Sequence, residues 1–243
     1  MITFIKKYDI SFAKIPFKRN QDTVYFSEQE KDCKFVVSVV DGWNNQKYLE
    51  GDVPGRAVAQ FVADKFPKTF LRKKEKVLEL RVNNACKAMD NKVLKLYPTH
   101  ASCVGVFMFG FANYELIVTV GSVVVLLWDG KKWVRPKEIG DYSLDPKVYP
   151  SDVSRFFGLG ELKKLDPKLY KCQADILITG NATPIFLASD GFEDVFDPKS
   201  FNNFTYSLKN ESSKYFVKNL TKVIQQSGKQ KDDIAILTKN NLS

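Results

Sequence analysis

The sequence is poor in the residues that build most metal and redox centres. Among its 243 residues there is one histidine, His100, and there are four cysteines, Cys33, Cys86, Cys103 and Cys172. A single imidazole excludes a multi-histidine zinc site, and no two cysteines have the spacing of a CxxC knuckle. Unpaired thiols set among apolar or ordinary surface residues fit a reduced, cytoplasmic protein rather than a disulfide scaffold. Long apolar runs are missing too. The longest, Leu116 to Trp128, is too short to span a bilayer and is broken by Thr119, Gly121 and Ser122. The N-terminal MITFIKKYDI has no basic-then-apolar signal segment, so secretion is not expected. Oxygen ligands are the one plentiful metal resource.

What is abundant is apolar and basic. Nineteen Phe and ten Tyr within a 44% hydrophobic chain exclude disorder, and the length suits one domain spanning 1–243 with a large core. The formal charge is +9, with Lys and Arg concentrated in Leu71–Arg81, Gly130–Lys137 and the C-terminal fifth. No zinc finger or RNA-binding aromatic signature accompanies these cations. The basic surface therefore reads as a solvated face attracting acidic or phosphorylated partners, with neither nucleic acid nor membrane expected.

Hydrophobic period orders the chain. Phe35–Val40 (FVVSVV) reads as a buried strand meeting a turn at Asp41-Gly42. A helix opens near Pro54, carries Ala57, Ala59, Phe61, Val62 and Phe66, and is expected to stop at Pro67. A second helix runs from Val77 to Leu96, with apolar residues at three- and four-residue spacing. Cys103–Gly110, Glu115–Val120 and Val123–Trp128 read as three strands. Residues 131–181 have weak periodicity and suggest a strand or two plus an irregular excursion. Pro184–Ser189 is another buried strand, ended by Asp190-Gly191. A helix over Ser212–Gln226, closed by Gly228, precedes a last strand, Asp233–Thr238. This order fits helices packed on sheets.

Acidic residues fall at the ends of these strands. VVSVVDG and FLASDG each end in Asp-Gly, Asp232-Asp233 opens the last strand, and Asp22 precedes Tyr25-Phe26. One Asp-Gly alone is a turn former, as at Asp129-Gly130. Carboxylates clustered at buried strand ends would instead repel one another and rise in pKa unless a cation compensates. Mg²⁺ or Mn²⁺ suits such oxygen ligands, and the glycine lets a carbonyl approach the ion.

The succession NQD, VVSVVDG, FLASDGFEDV and KDDIAIL resembles the metal-dependent serine/threonine phosphatases of the protein phosphatase 2C family, from Arg19 to about Leu237. The resemblance implies an α/β (α+β) fold, a four-layer αββα sandwich whose two central, mainly antiparallel sheets are flanked by helices. It also implies two Mg²⁺ or Mn²⁺ ions at one end of the sandwich. By that resemblance Asp41 bridges the ions, the Gly42 carbonyl binds one, Asp190 and Asp232 complete the ligands, and Asp22 orients water. The implied reaction is hydrolysis of phosphoserine or phosphothreonine by a hydroxide bridging the ions, attacking phosphorus in line.

Several positions depart from the family pattern. Phe17 stands where many members have a phosphate-gripping arginine, leaving Lys18 and Arg19 as candidate replacements. The family's Val-Gly-Asp is Val120-Gly121-Ser122 here, which removes one carboxylate of a third metal site, although Asp194 matches its other ligand. Trp43 replaces a histidine proposed to protonate the leaving group. His100 reads as a loop or packing residue, Cys103 has no partner base, and Trp43, Trp128 and Trp133 read as core or rim. The expected partners are a phosphorylated protein substrate and a cognate kinase, for a monomer in cytoplasmic signalling. The alternative is an inactive pseudophosphatase that binds proteins through its basic face.

Overall fold

A computed structural model describes residues 2–17, 20–30, 32–44, 54–97, 101–142, 144, 148, 153–206 and 211–240. Its strands are β1 (Ile2–Ile5), β2 (Ile10–Ile15), β3 (Thr23–Glu30), β4 (Cys33–Asn44), β5 (Ala101–Gly110), β6 (Tyr114–Val120), β7 (Val124–Trp128), β8 (Trp133–Val134), β9 (Phe157–Gly158), β10 (Asp175–Gly180), β11 (Ile185–Ala188) and β12 (Ile234–Lys239). Its helices are α1 (Pro54–Arg72), α2 (Leu78–Leu96), α3 (Gly160–Leu165), α4 (Pro198–Tyr206) and α5 (Ser213–Ser227). One sheet has the order β1-β2-β12-β11-β7-β8, the other β10-β6-β5-β4-β3 with β9 added to β5. The pairings within both sheets are antiparallel.

Strand alternation divides the core into three apolar layers. On β4, Val36 and Val40 pack with Val58, Val62, Phe66 and Met89 of α1 and α2. Val37 and Val39 face the other way, into the space between the sheets, with Val106, Ile117, Leu187 and Leu237. The second sheet turns Phe186, Ile234 and Ile236 outward onto Phe201 of α4 and Phe216 and Leu220 of α5. This is the expected αββα sandwich. Each fully buried Val, Leu, Ile or Phe contributes roughly 1.5–3 kcal/mol. Burial on both faces explains why β5, buried at every position, reads as an unbroken apolar run rather than an alternating one. Among the described residues no helix is long and apolar enough to cross a membrane.

Three expectations are corrected. The first helix does not stop at Pro67 but continues to Arg72, with Pro67 itself buried. Proline forfeits one helical N–H bond. Beyond it, Phe70 and Leu71 are buried in the helix–sheet layer, and Arg81 donates to the carbonyls of Phe70 and Leu71 at 3.3 and 3.5 Å. That burial and side-chain cap offset the lost bond. Likewise Asp41-Gly42 is not a turn. Asp41 pairs with Val104 and Gly42 with Cys103, so β4 runs on to Asn44. The described residues of the excursion after residue 131 hold three strands and a helix, α3, where a strand or two and an irregular stretch were expected.

Candidate active site

Three strand ends meet at one end of the sandwich. On β4 the inward alternation of Val37 and Val39 carries through to Asp41, which is half-buried. Gly42 then faces α1, and a Cβ there would lie 2.3 Å from the Gly55 carbonyl oxygen, so only glycine admits the helix this close. Asp22 stands just before β3, whose Thr23 pairs with Val40, and it is 2% exposed. Asp190 follows β11 and opens a short 3₁₀ turn over Asp190–Phe192. Beside it a Cβ on Gly191 would sit 2.4 Å from the Asp233 carbonyl oxygen and 3.4 Å from Cβ of Asp232, which brings the second Asp-Gly against the start of β12.

Ser189 links these pieces. Its hydroxyl donates to Oδ2 of Asp22 at 2.6 Å and accepts the Ala235 N–H at 2.9 Å. Asp41 interacts with both Asp22 and Asp190, which raise its carboxyl through their charges and through hydrogen bonding. Burial pushes the Asp22 carboxyl up to about 7, with the charges of Asp190 and Asp233 adding to the rise and the bonds from Ser189 and Asp41 opposing it. Burial, then the charges of Asp22 and Asp190, drive Asp41 well above the usual carboxylate range. Carboxyl groups this close cannot all ionise unaided, so they retain protons.

A hard divalent cation fits this donor set, because it takes oxygen ligands and supplies the missing positive charge. Carboxyls that hold protons only for want of that charge would release them on binding it. Among the described residues no three side chains are already arranged as a finished cation cage.

The remaining candidates separate. Asp232 is exposed, and its Oδ1 accepts the Asp233 N–H at 2.7 Å. Asp233 is buried and accepts the N–H groups of Phe17 and Gln21, both at 2.6 Å, so it staples the segment leading to Asp22. Asp194 faces the Lys231 ammonium at 3.8 Å, and Ser122 is buried with its hydroxyl 3.3 Å from Asp141. Lys18, Arg19 and His100 lie outside the described residues. Burial pushes the Cys103 thiol up, consistent with an inert cysteine. The sequence reading missed Ser189, whose place beside Asp190 in ASDG was a usable signal. It also missed Lys14, which folding brings into the field of Asp22, and Arg56, whose charge acts on Lys14.

The sequence matches no protein-family model and no curated protein. Its fold is nevertheless a known one, that of the PPM serine/threonine phosphatases. The solved structure of the serine/threonine phosphatase Stp1 from Staphylococcus aureus superposes with a TM-score of 0.70 at 15% identity, over 95% of this chain and 94% of that one. The PPM Ser-Thr phosphatase MsPP from Mycobacterium smegmatis, in complex with cacodylate, gives 0.65 at 14% identity, covering 95% and 97%. The catalytic domain of the serine threonine protein phosphatase PstP, in complex with two manganese ions, gives 0.62 at 12%, covering 95% and 97%. At such identities the likeness establishes the architecture and leaves the chemistry to the site.

Proposed function

We propose that this chain is a phosphoprotein phosphatase of the PPM type, hydrolysing phosphoserine or phosphothreonine with Mg²⁺ or Mn²⁺. The observation that carries the reading is the convergence of Asp22, Asp41 and Asp190 from three separate strands at one end of the sandwich, with Asp22 buried and the other two half-buried. Its fold neighbours support it, since PstP was solved with two manganese ions. Asp41, Asp190, the Gly42 carbonyl and Asp232 would hold the ions. Bound there, divalent cations make water more acidic and neutralise phosphate oxygens. The chain's own part is positional. Asp233 fixes the Phe17–Gln21 backbone, Ser189 aims Asp22, and the Gly42–Gly55 contact fixes α1 over Asp41.

A second reading, a pseudophosphatase that only binds partners, draws on Phe17, on Ser122 and on Asp194 being turned toward Lys231. Hydrolysis of an aryl phosphate in Mn²⁺, with and without chelator, decides between them. The phosphatase reading expects chelator-sensitive turnover that Asp41→Asn and Asp190→Asn each reduce at least about a hundredfold, because removing a ligand charge weakens divalent binding. Near-normal turnover in either variant at limiting Mn²⁺ would reject the site, and no turnover by the unmutated chain would favour the binding module.

A further inference from the structure

The geometry points to Lys14 and Arg56 as a two-cation clamp that receives the substrate's phosphate at the mouth of the acidic cluster, in place of the arginine that Phe17 displaces. This rests on the phosphatase reading of that cluster. On β2 the residues alternate, with Ile10 and Phe12 facing the inter-sheet space and Ala13 and Ile15 facing α5 and its layer. Lys14 therefore turns inward, and its register opposite Ala235 places it at the strand end beside Ser189 and Asp22. Arg56 comes from the other side. It follows Gly55, whose carbonyl presses on Gly42 next to Asp41, so the first turn of α1 begins at the same end of the sandwich, and the charge of Arg56 acts on Lys14 there.

The two cations feel each other. Burial, then the Arg56 charge, lower the Lys14 ammonium below its ordinary value, while Asp22 and Asp233 act in the opposite sense. Among the described residues neither Lys14 nor Arg56 makes a hydrogen bond or an ion pair. The nearby carboxylates are already engaged, Asp22 by Ser189 and Asp233 by the backbone of Phe17 and Gln21. An ammonium with three donors and a guanidinium with five thus act on each other's charge, with no hydrogen bond or ion pair among the described residues. A phosphomonoester dianion answers both conditions, since it neutralises the pair and offers several acceptor oxygens. Phe17 is 44% exposed and has no charge to compete for that anion.

The test titrates inorganic phosphate calorimetrically into the protein in excess Mg²⁺, alongside KM and kcat for an aryl phosphate. Lys14→Met and Arg56→Gln should each weaken phosphate binding about tenfold, and the double variant about a hundredfold, as expected for lost charge-assisted contacts. KM should rise by similar factors with kcat within about threefold of the parent, the signature of a contact made equally in ground and transition states. Lys14→Arg and Arg56→Lys should keep most of the affinity, which a purely structural role would not predict. Should Lys14→Met fail to fold, Arg56→Gln carries the comparison alone. Phosphate affinity unchanged within twofold in the neutral variants, or no binding by the parent at millimolar phosphate, overturns the clamp. Hydrolysis with unaltered KM in those variants removes the clamp and leaves the phosphatase reading. Phosphate binding that needs both cations, in a chain that hydrolyses nothing, keeps the clamp and removes that reading.

Discussion

The two ends of the space between the sheets bury carboxyl groups on opposite terms. At one end Glu115 of β6 meets Lys239 of β12 at 2.8 Å, one residue from each sheet, with side chains 1% and 4% exposed. The same ammonium donates to the Asn181 carbonyl at 2.6 Å. At the other end, six residues along β4 and about 20 Å away, Asp41 meets Asp22 and Asp190 instead. Asp22 and Glu115 both reach about 7, and burial is the chief cause for each. A raised pKa therefore does not by itself mark a reactive site. At the Glu115 end the fold supplies its own cation and closes the sandwich. At the Asp41 end the carboxyls of Asp22 and Asp41 face one another with no ion pair among the described residues, and their charge is held back by retained protons.

The largest effect should come from breaking the closed end. Lys239→Met leaves Glu115 buried beside an apolar side chain, with an Oε2 that already lacks a partner among the described residues. The loss should be about 3–5 kcal/mol in urea unfolding at pH 8, whereas Glu115→Leu/Lys239→Met should be neutral or more stable than the parent. Equal stability of the single and double variants would mean that the pair is not closing this end.

The open end should respond in the other direction. Neutralising Asp41 and Asp190 together, as Asn, relieves repulsion and should not lower metal-free stability at pH 7. Mn²⁺ at a hundred times its dissociation constant should stabilise the parent by about 2.7 kcal/mol, a gain that sodium chloride of equal ionic strength does not reproduce and that the double Asn variant loses. A melting temperature indifferent to Mn²⁺ in the parent would remove the contrast between the two ends.

How much of this was legible depended on how local each cause is. FVVSVVDG and PIFLASDG announced buried strands ending in carboxylates because burial on both faces writes a continuous apolar run. The α2 helix was equally plain, and Ala85, Met89 and Val93 of its apolar spacing are buried, but Val77, Leu80 and Leu96 at its two ends are exposed. Pro67 misled because the forces holding α1 past it, Phe70 and Leu71 in the core and the Arg81 cap, are tertiary. Asp41-Gly42 misled because the pair is a turn signal until β5 offers residues 101–104 as a ladder partner. Asp232-Asp233 read as one acidic pair, yet backbone N–H groups more than two hundred residues away claim Asp233 and leave Asp232 at the surface. Glu115 with Lys239, and Lys14 with Arg56, join residues far apart in sequence. No window along the chain contains either pair.

The effect that is smallest per group and per pH unit is the slope of stability with pH, and it has a definite sign. Asp22 near 7 when folded and near 3.8 when unfolded holds a proton in the native state that the unfolded chain has already released between those values. Stability from that proton is complete below about pH 4 and is lost as pH rises through about 7. Glu115 behaves the same way, so the chelator-treated protein should lose stability from pH 4 to 7 at about 1.4 kcal/mol per pH unit for each retained proton. Asp129 and Asp197, held low by backbone N–H bonds, act below this window and in the opposite sense. Glu115→Gln and Asp22→Asn should each flatten their own share of the slope. Saturating Mn²⁺ then separates the two ends. A cation needs ionised ligands, so the Asp22 end should turn to gaining stability as pH rises, while the Glu115 share stays as it was. A flat or rising profile in the chelated parent between pH 4 and 7 would contradict proton retention at both ends. An unchanged profile in Mn²⁺ would contradict the assignment of the acidic end to cations.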